Sequence, residues 1–198
     1  MTIKYPNGKK YSFKDDILSK ESSSVEFSNR GMTLEDEINR SNEYYLNNGI
    51  AVIHKKPTPI QIVAVDYPKR SAAKIKEAYF RRASTTDYNG VYRGRYIDFD
   101  AKETKSATSF PLKNFHAHQI EHMRACLQQQ GICFAIIKFV TDQSVFLFKA
   151  SDLIPYWDNQ EHGGRKSIPR QVIHDKGYQI DYKITPLIPY LSAVDCII

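Results

Sequence analysis

The chain has 198 residues, 41% hydrophobic and 25% charged, with a formal net charge of +6. This is length enough for one well-cored domain, and no apolar run approaches the ~20 residues of a helical membrane span. Cys126, Cys133 and Cys196 form no CxxC pair and are odd in number, which fits reduced thiols in a cytoplasmic protein better than a disulfide framework or a zinc site.

The first 28 residues carry scattered charge, a Ser22-Ser23-Ser24 run and no sustained periodicity, the pattern of a flexible N-terminal arm. Met1 to Lys20 is too polar for a secretory signal, so a cytoplasmic, nucleoid-associated location is expected. Residues 29–198 read as a single domain. Thr33 can cap a helix whose first turn holds Glu35, Asp36 and Glu37, with Leu34, Ile38, Tyr45 and Leu46 as its apolar stripe and Asn47-Asn48-Gly49 as its stop. Ile50–Ile53 and Gln61–Val65 are strand candidates, separated by the breaker Lys55-Lys56-Pro57-Thr58-Pro59. Ala72–Arg82 is expected to be helical. Asn89-Gly90 signals a two-residue turn. Arg95–Lys102 alternates as a strand, with Ile97, Phe99 and Ala101 on one face and Tyr96, Asp98, Asp100 and Lys102 on the other. A helix over Asn114–Gln130, a hairpin of Ile132–Val140 with Ser144–Phe148, and a late strand Tyr178–Ile184 complete an α/β pattern with a mixed sheet flanked by helices.

Charge is concentrated between Lys55 and Ser84. Lys55, Lys56, Lys69, Arg70, Lys74, Lys76, Arg81 and Arg82 face only Asp66 and Glu77, an excess equal to the net charge of the whole chain. Such a window is the footprint of a polyanionic partner or a solvated basic face. Few large apolar residues are available to anchor it, so a protrusion from the main core is expected.

Asp87 to Lys102 carries the chemistry. Hydrolysis of a phosphodiester needs a strong nucleophile and relief of negative charge, and a hard divalent cation held by carboxylates supplies both. Asp100 and Lys102 project from the same face of one strand, and Asp87 lies across the expected turn. Asp98 shares the face of Asp100, so spacing alone does not choose the ligand.

Several blocks, in order, resemble the RecU family. They are Asn29-Arg30-Gly31-Met32-Thr33-Leu34-Glu35, Ala51-Val52-Ile53-His54-Lys55-Lys56-Pro57-Thr58-Pro59, Asp66-Tyr67-Pro68-Lys69-Arg70-Ser71-Ala72-Ala73 and Ser84-Thr85-Thr86-Asp87-Tyr88-Asn89-Gly90. Gly94 to Phe99, Ala101 to Lys105 and Phe115 to Met123 continue the match. The resemblance implies a PD-(D/E)xK restriction-nuclease-like fold with a protruding basic stalk at about 55–84. It also implies a homodimer that nicks Holliday junctions, four-way DNA structures, symmetrically with Mg2+ or Mn2+ during recombination and repair. Carried over residue by residue, it makes Asp87 and Asp100 the metal ligands and Lys102 the catalytic lysine, with Glu35 and Gln119 in support. The DNA-binding set is Arg30 with the eight bases of the window. The recombinase RecA and branch-migration proteins are the implied partners. Position 100 is usually Glu in the family and is Asp here.

Three alternatives stand beside this reading. Two are a branched-DNA-binding module with weak catalysis and a nuclease for another structured nucleic acid, such as a flap or a linear duplex end. The third is a zinc peptidase, because His118-Gln119-Ile120-Glu121-His122 matches HxxEH. That motif needs a downstream acidic ligand, and the only Glu after His122 is Glu161, expected in a Gly-rich loop.

Overall fold

A computed structural model describes residues 32–68, 73–81 and 84–198. The expected N-terminal arm lies outside the described residues, as do Arg30, Lys69, Arg70 and Arg82. The unit Gly31–Ile198 holds everything that follows.

Helix α1 spans Leu34–Asn47. Thr33 and Asp36 close a reciprocal capping box at its start, which satisfies two backbone donors that no helical partner reaches. Its buried stripe includes Leu34, Ile38 and Tyr45. Strands β1 (Val52–Lys55), β4 (Tyr88–Tyr92), β5 (Arg95–Thr104), β7 (Ile132–Phe139), β8 (Ser144–Lys149) and β10 (Tyr178–Ile180) make a six-stranded sheet in the order β1-β4-β5-β7-β8-β10. Only β5 and β7 run parallel; the other neighbours are antiparallel. The crossover between β5 and β7 holds α2 (Ala117–Gln128).

The sheet has apolar side chains on both faces. On one, Leu34, Ile38 and Tyr45 of α1 and Tyr190 and Val194 of α5 (Tyr190–Val194) pack over Ile97, Phe99, Phe134 and Ile136. Phe99 stacks between Tyr88 and Phe134, each at 4.8 Å between ring centres. On the other face, Ile120 and Met123 of α2, Leu153 of α3 (Ala150–Glu161) and Ile173 of α4 (Arg170–Lys176) cover Ala135, Ile137, Phe146 and Phe148. Two short strands, β6 (Ser109–Pro111) and β9 (Ser167–Pro169), pair beside this second layer. The mixed α/β architecture is as expected.

Four local readings change. Ala72–Arg82 is not helical: Lys74–Phe80 is strand β3, paired antiparallel with β2 (Ile60–Asp66) as a separate two-stranded ribbon. The ribbon is also richer in large apolar residues than expected, with Ile60, Ile62, Val63, Ile75, Tyr79 and Phe80 all exposed. A β-branched and aromatic composition on an edge pairs more readily than it forms a lone helix. Asn89-Gly90 is not a turn but lies inside β4, opposite His54 and Ile53. A Cβ at Gly90 would sit 2.0 Å from the Val52 carbonyl oxygen, so this glycine permits strand contact. The turn is Arg93-Gly94, both with positive φ (49° and 73°), the two-residue form that matches strand twist. Finally, Glu161 ends helix α3 rather than lying in a loop.

Candidate active site

The polar face of β5 is not wet. Asp98 and Asp100 are both fully buried, because α2 lies across them. In the parallel pairing, Asp98, Asp100 and Lys102 stand opposite Cys133, Ala135 and Ile137. A row of charged groups therefore runs beneath a helix, and each must find a partner.

Asp100 has partners on one oxygen only. Its Oδ1 accepts from the Asp87 backbone N–H at 3.0 Å and from Gln119 Nε2 at 3.0 Å, with Lys102 Nζ at 3.6 Å. Its Oδ2 is buried with no hydrogen-bond partner. Burial pushes the Asp100 carboxyl up to about 8; the Lys102 ammonium pulls it down and the Asp87 carboxylate pushes it up. An orphaned, buried carboxylate oxygen is costly unless a cation is meant to meet it.

Asp87 precedes β4 and stays one-third exposed. Its carbonyl accepts from Lys56 N at 2.7 Å, which ties the approach to β4 to the end of β1. Its carboxylate accepts from Lys102 Nζ at 3.2 Å. The structure thus brings Asp87, Asp100, Lys102 and Gln119 together. The donor set suits a hard cation: two carboxylates from adjacent segments, one with an oxygen left open.

Gln119 is buried at the start of α2, where its Oε1 accepts from the His116 backbone N–H at 3.0 Å. The helix cap and the contact to Asp100 share one side chain. Glu35 lies further off, paired with Lys55. It lines a cleft of about 420 Å³ with Thr33, Leu34, Ala101, Lys102, Glu103 and Asn114. The cleft places Glu35 near Lys102 but not among the ligands of Asp100.

Asp98 differs from Asp100 in being saturated. Its Oδ2 meets Lys56 Nζ at 2.8 Å, Tyr96 Oη at 2.8 Å and His122 Nε2 at 3.1 Å, and its Oδ1 accepts from Thr86. The free oxygen is therefore on Asp100, not on Asp98. The sequence does not assign Thr86, Tyr96 and His122 to Asp98: Tyr96 is signalled by its period-two spacing from Asp98, while His122 stands out there only as part of HxxEH.

The described bases of the window divide. Lys74 is exposed on β3, Lys76 pairs with Asp66, and Arg81 donates from Nε to Gln61. Lys56 is turned inward, to Asp98 and Thr86, instead of lying on an open surface. Among the described residues His118, Glu121 and His122 do not form a common group of metal-ligating atoms. Among the described residues the group able to hold a metal with His122 consists of Asp98 and Cys126, without His118 or Glu121.

The family model described as Recombination protein U matches residues 29–196. Three relatives named "Holliday junction resolvase RecU" are similar over nearly their whole length. The protein from Lactiplantibacillus plantarum is 64% identical over all of this chain and 97% of its own. That from Pediococcus pentosaceus is 62% identical over all of this chain and 98% of its own. That from Geobacillus kaustophilus is 60% identical over 98% of this chain and 97% of its own. With the match spanning both the buried carboxylates and the basic ribbon, the chain belongs to the RecU family.

Proposed function

We propose that the chain is a metal-dependent endonuclease that resolves Holliday junctions in recombination and repair. The observation that carries the chemistry is the buried, unpartnered Oδ2 of Asp100 beside Asp87 and Lys102. The relatives' shared name supplies the substrate.

Asp87 and Asp100 would hold Mg2+ or Mn2+ through their carboxylates. When bound, such an ion relieves phosphate charge and makes a water easier to deprotonate. The other roles belong to side chains. Lys102, held between the two carboxylates, keeps an ammonium where it can orient the attacking water or meet charge developing on the phosphate. Gln119 fixes the carboxylate plane of Asp100. Glu35, at the rim of the adjoining cleft, holds Lys55. Asp100-Ala101-Lys102 on β5, with Asp87 beside it, fits the PD-(D/E)xK scheme with Asp in the middle position.

The ribbon β2–β3 supports a stalk, since it forms a sheet of its own and carries Lys74, Lys76 and Arg81. Its exposed Ile62, Val63, Tyr79 and Phe80 favour cover by a second copy. A homodimer also fits the substrate, because paired cuts in a two-fold junction need two symmetry-related sites. Among the described residues no helix is long and apolar enough to cross a membrane; we place the protein in the cytoplasm at the nucleoid. Contacts with RecA and branch-migration proteins belong to the same proposal.

The test is incubation of the protein with a synthetic four-way junction, with and without Mg2+. Paired nicks at symmetric positions that require the ion support the reading. Tight binding without nicks in any divalent ion would support the binding module instead.

A further inference from the structure

Helix α2 carries His122 and Cys126 one turn apart, so both side chains leave the same side of the helix. That side meets Asp98 of β5. His122 Nε2 lies 3.1 Å from Asp98 Oδ2, and Cys126 Sγ lies 3.5 Å from His122 Nε2. All three ligand atoms fall within 4.8 Å of one another. Zinc binds nitrogen and oxygen at about 2.0 Å and thiolate at about 2.3 Å, so tetrahedral angles put N and O about 3.3 Å apart and N and S about 3.5 Å apart. The two separations agree with these to within a few tenths of an ångström, and the third, between Asp98 and Cys126, is within 4.8 Å against the about 3.5 Å that zinc asks of O and S, so closing on an ion asks movement mainly along that edge.

The support around the three is in place. Asp98 is oriented by Thr86 on Oδ1 and by the Tyr96 hydroxyl on Oδ2. Outer partners of this kind fix ligand geometry in metal sites. Charge also balances. Lys56 Nζ, 2.8 Å from Asp98, now neutralises the carboxylate, while Cys126 can remain a thiol. A divalent ion with one carboxylate and one thiolate is likewise neutral. Uptake would release the thiol proton to solvent and let the Lys56 ammonium turn outward, which its partial exposure permits. A thiolate and an imidazole suit zinc and are poor ligands for magnesium.

We propose that Asp98, His122 and Cys126 form a zinc site, separate from the carboxylate centre of Asp87 and Asp100 and independent of the nuclease reading. Water would take the fourth position. Cysteine spacing argues against zinc only while cysteines are counted in pairs; this site uses one cysteine, from a helix, with a carboxylate from a strand.

The test is optical. The full chain, kept reduced with a phosphine and held in excess Mg2+, is titrated with Co2+ as a zinc stand-in. The expected result is a near-ultraviolet sulfur-to-cobalt charge-transfer band that saturates at one ion per chain and disappears when Zn2+ is added. Cys126→Ser should abolish the band. His122→Ala should weaken Zn2+ binding roughly tenfold or more, since even outer-shell partners contribute that much. Two variants at different helix turns, each checked for a native melting curve without metal, keep the test decisive if one fails to fold. Asp87→Asn should leave the band unchanged. No band in the native chain, or a band that survives Cys126→Ser, would overturn the proposal. So would loss of the band in Asp87→Asn, which would put the ion in the carboxylate centre.

Discussion

Gln119 Nε2 donates to Asp100 Oδ1 at 3.0 Å, from the first turn of α2 to the middle of β5. The same side chain accepts from the His116 backbone on its other atom. One amide thus joins the start of a helix to a buried carboxylate and leaves the second carboxylate oxygen open.

If this amide sets the carboxylate plane, its loss should act through metal affinity. Gln119→Leu keeps most of the volume and removes the donor. Cleavage at limiting Mg2+ should fall about 10–100-fold, the usual cost of losing a partner that orients a metal ligand. Raising Mg2+ should recover much of it. A Mg2+ titration of junction cleavage that matches the native curve would remove Gln119 from the site.

Asp100→Glu installs the residue that the family resemblance implies is usual at this position. It adds one methylene at a position with no exposure. Overpacking costs typically ~1–3 kcal/mol, so a lower melting temperature is expected. Cleavage should nevertheless be kept or raised, because the longer carboxylate still reaches an ion between β5 and Asp87. Complete loss of cleavage in a folded variant would mean that the site is tuned to the shorter side chain.

The ribbon bases should act through phosphates. Removing one side chain that neutralises a phosphate lowers the log–log salt dependence of binding by about 0.9 on duplex DNA. Replacing Lys74, Lys76 and Arg81 with Ala should therefore flatten the slope by up to ~3 units. A ribbon that enters the junction centre should cost junction affinity more than duplex affinity. Equal weakening on both substrates, measured across a salt series, would make it a general DNA-binding patch.

A buried ion pair stabilises the opposite face of the sheet, one residue along from Lys102 in the β5–β7 register. Lys138 of β7 and Glu37 of α1 meet at 2.8 Å, both buried, and the Tyr182 hydroxyl donates to the same carboxylate at 2.9 Å. Lys138→Met should destabilise by about 3–5 kcal/mol, because it leaves a buried carboxylate without its cation. Adding Glu37→Leu should recover most of that stability. Denaturant unfolding of the single and double variants checks both statements; a small effect in Lys138→Met would mean that water already reaches Glu37.

Much of this arrangement is legible in the sequence where a pattern is local. The capped first helix follows from Thr33 and Asp36 within one turn, and β5 from its alternation. The strong turn signal at Asn89-Gly90 misleads because glycine serves two purposes. Here it allows β1 and β4 to approach, a long-range need that no neighbouring residue reveals. Strand β3 reads as a helix in isolation because its partner, β2, lies across a segment that carries no pairing code of its own. At the site, Asp87, Asp100 and Lys102 can be named from chemistry and resemblance. The distinction between Asp98 and Asp100 cannot. It depends on Lys56 from just beyond β1 and His122 from α2, side chains that reach one carboxylate and miss the other.

The proposed metal-dependent junction nuclease rests on the open oxygen of Asp100. Asp100→Asn tests it most directly, on a labelled four-way junction in Mg2+, with binding and nicking measured on the same sample. Nicking should be abolished while junction affinity is retained or slightly improved, since the variant cannot place an ionised carboxylate beside the phosphate. Nicking at the native rate by the folded variant would contradict it.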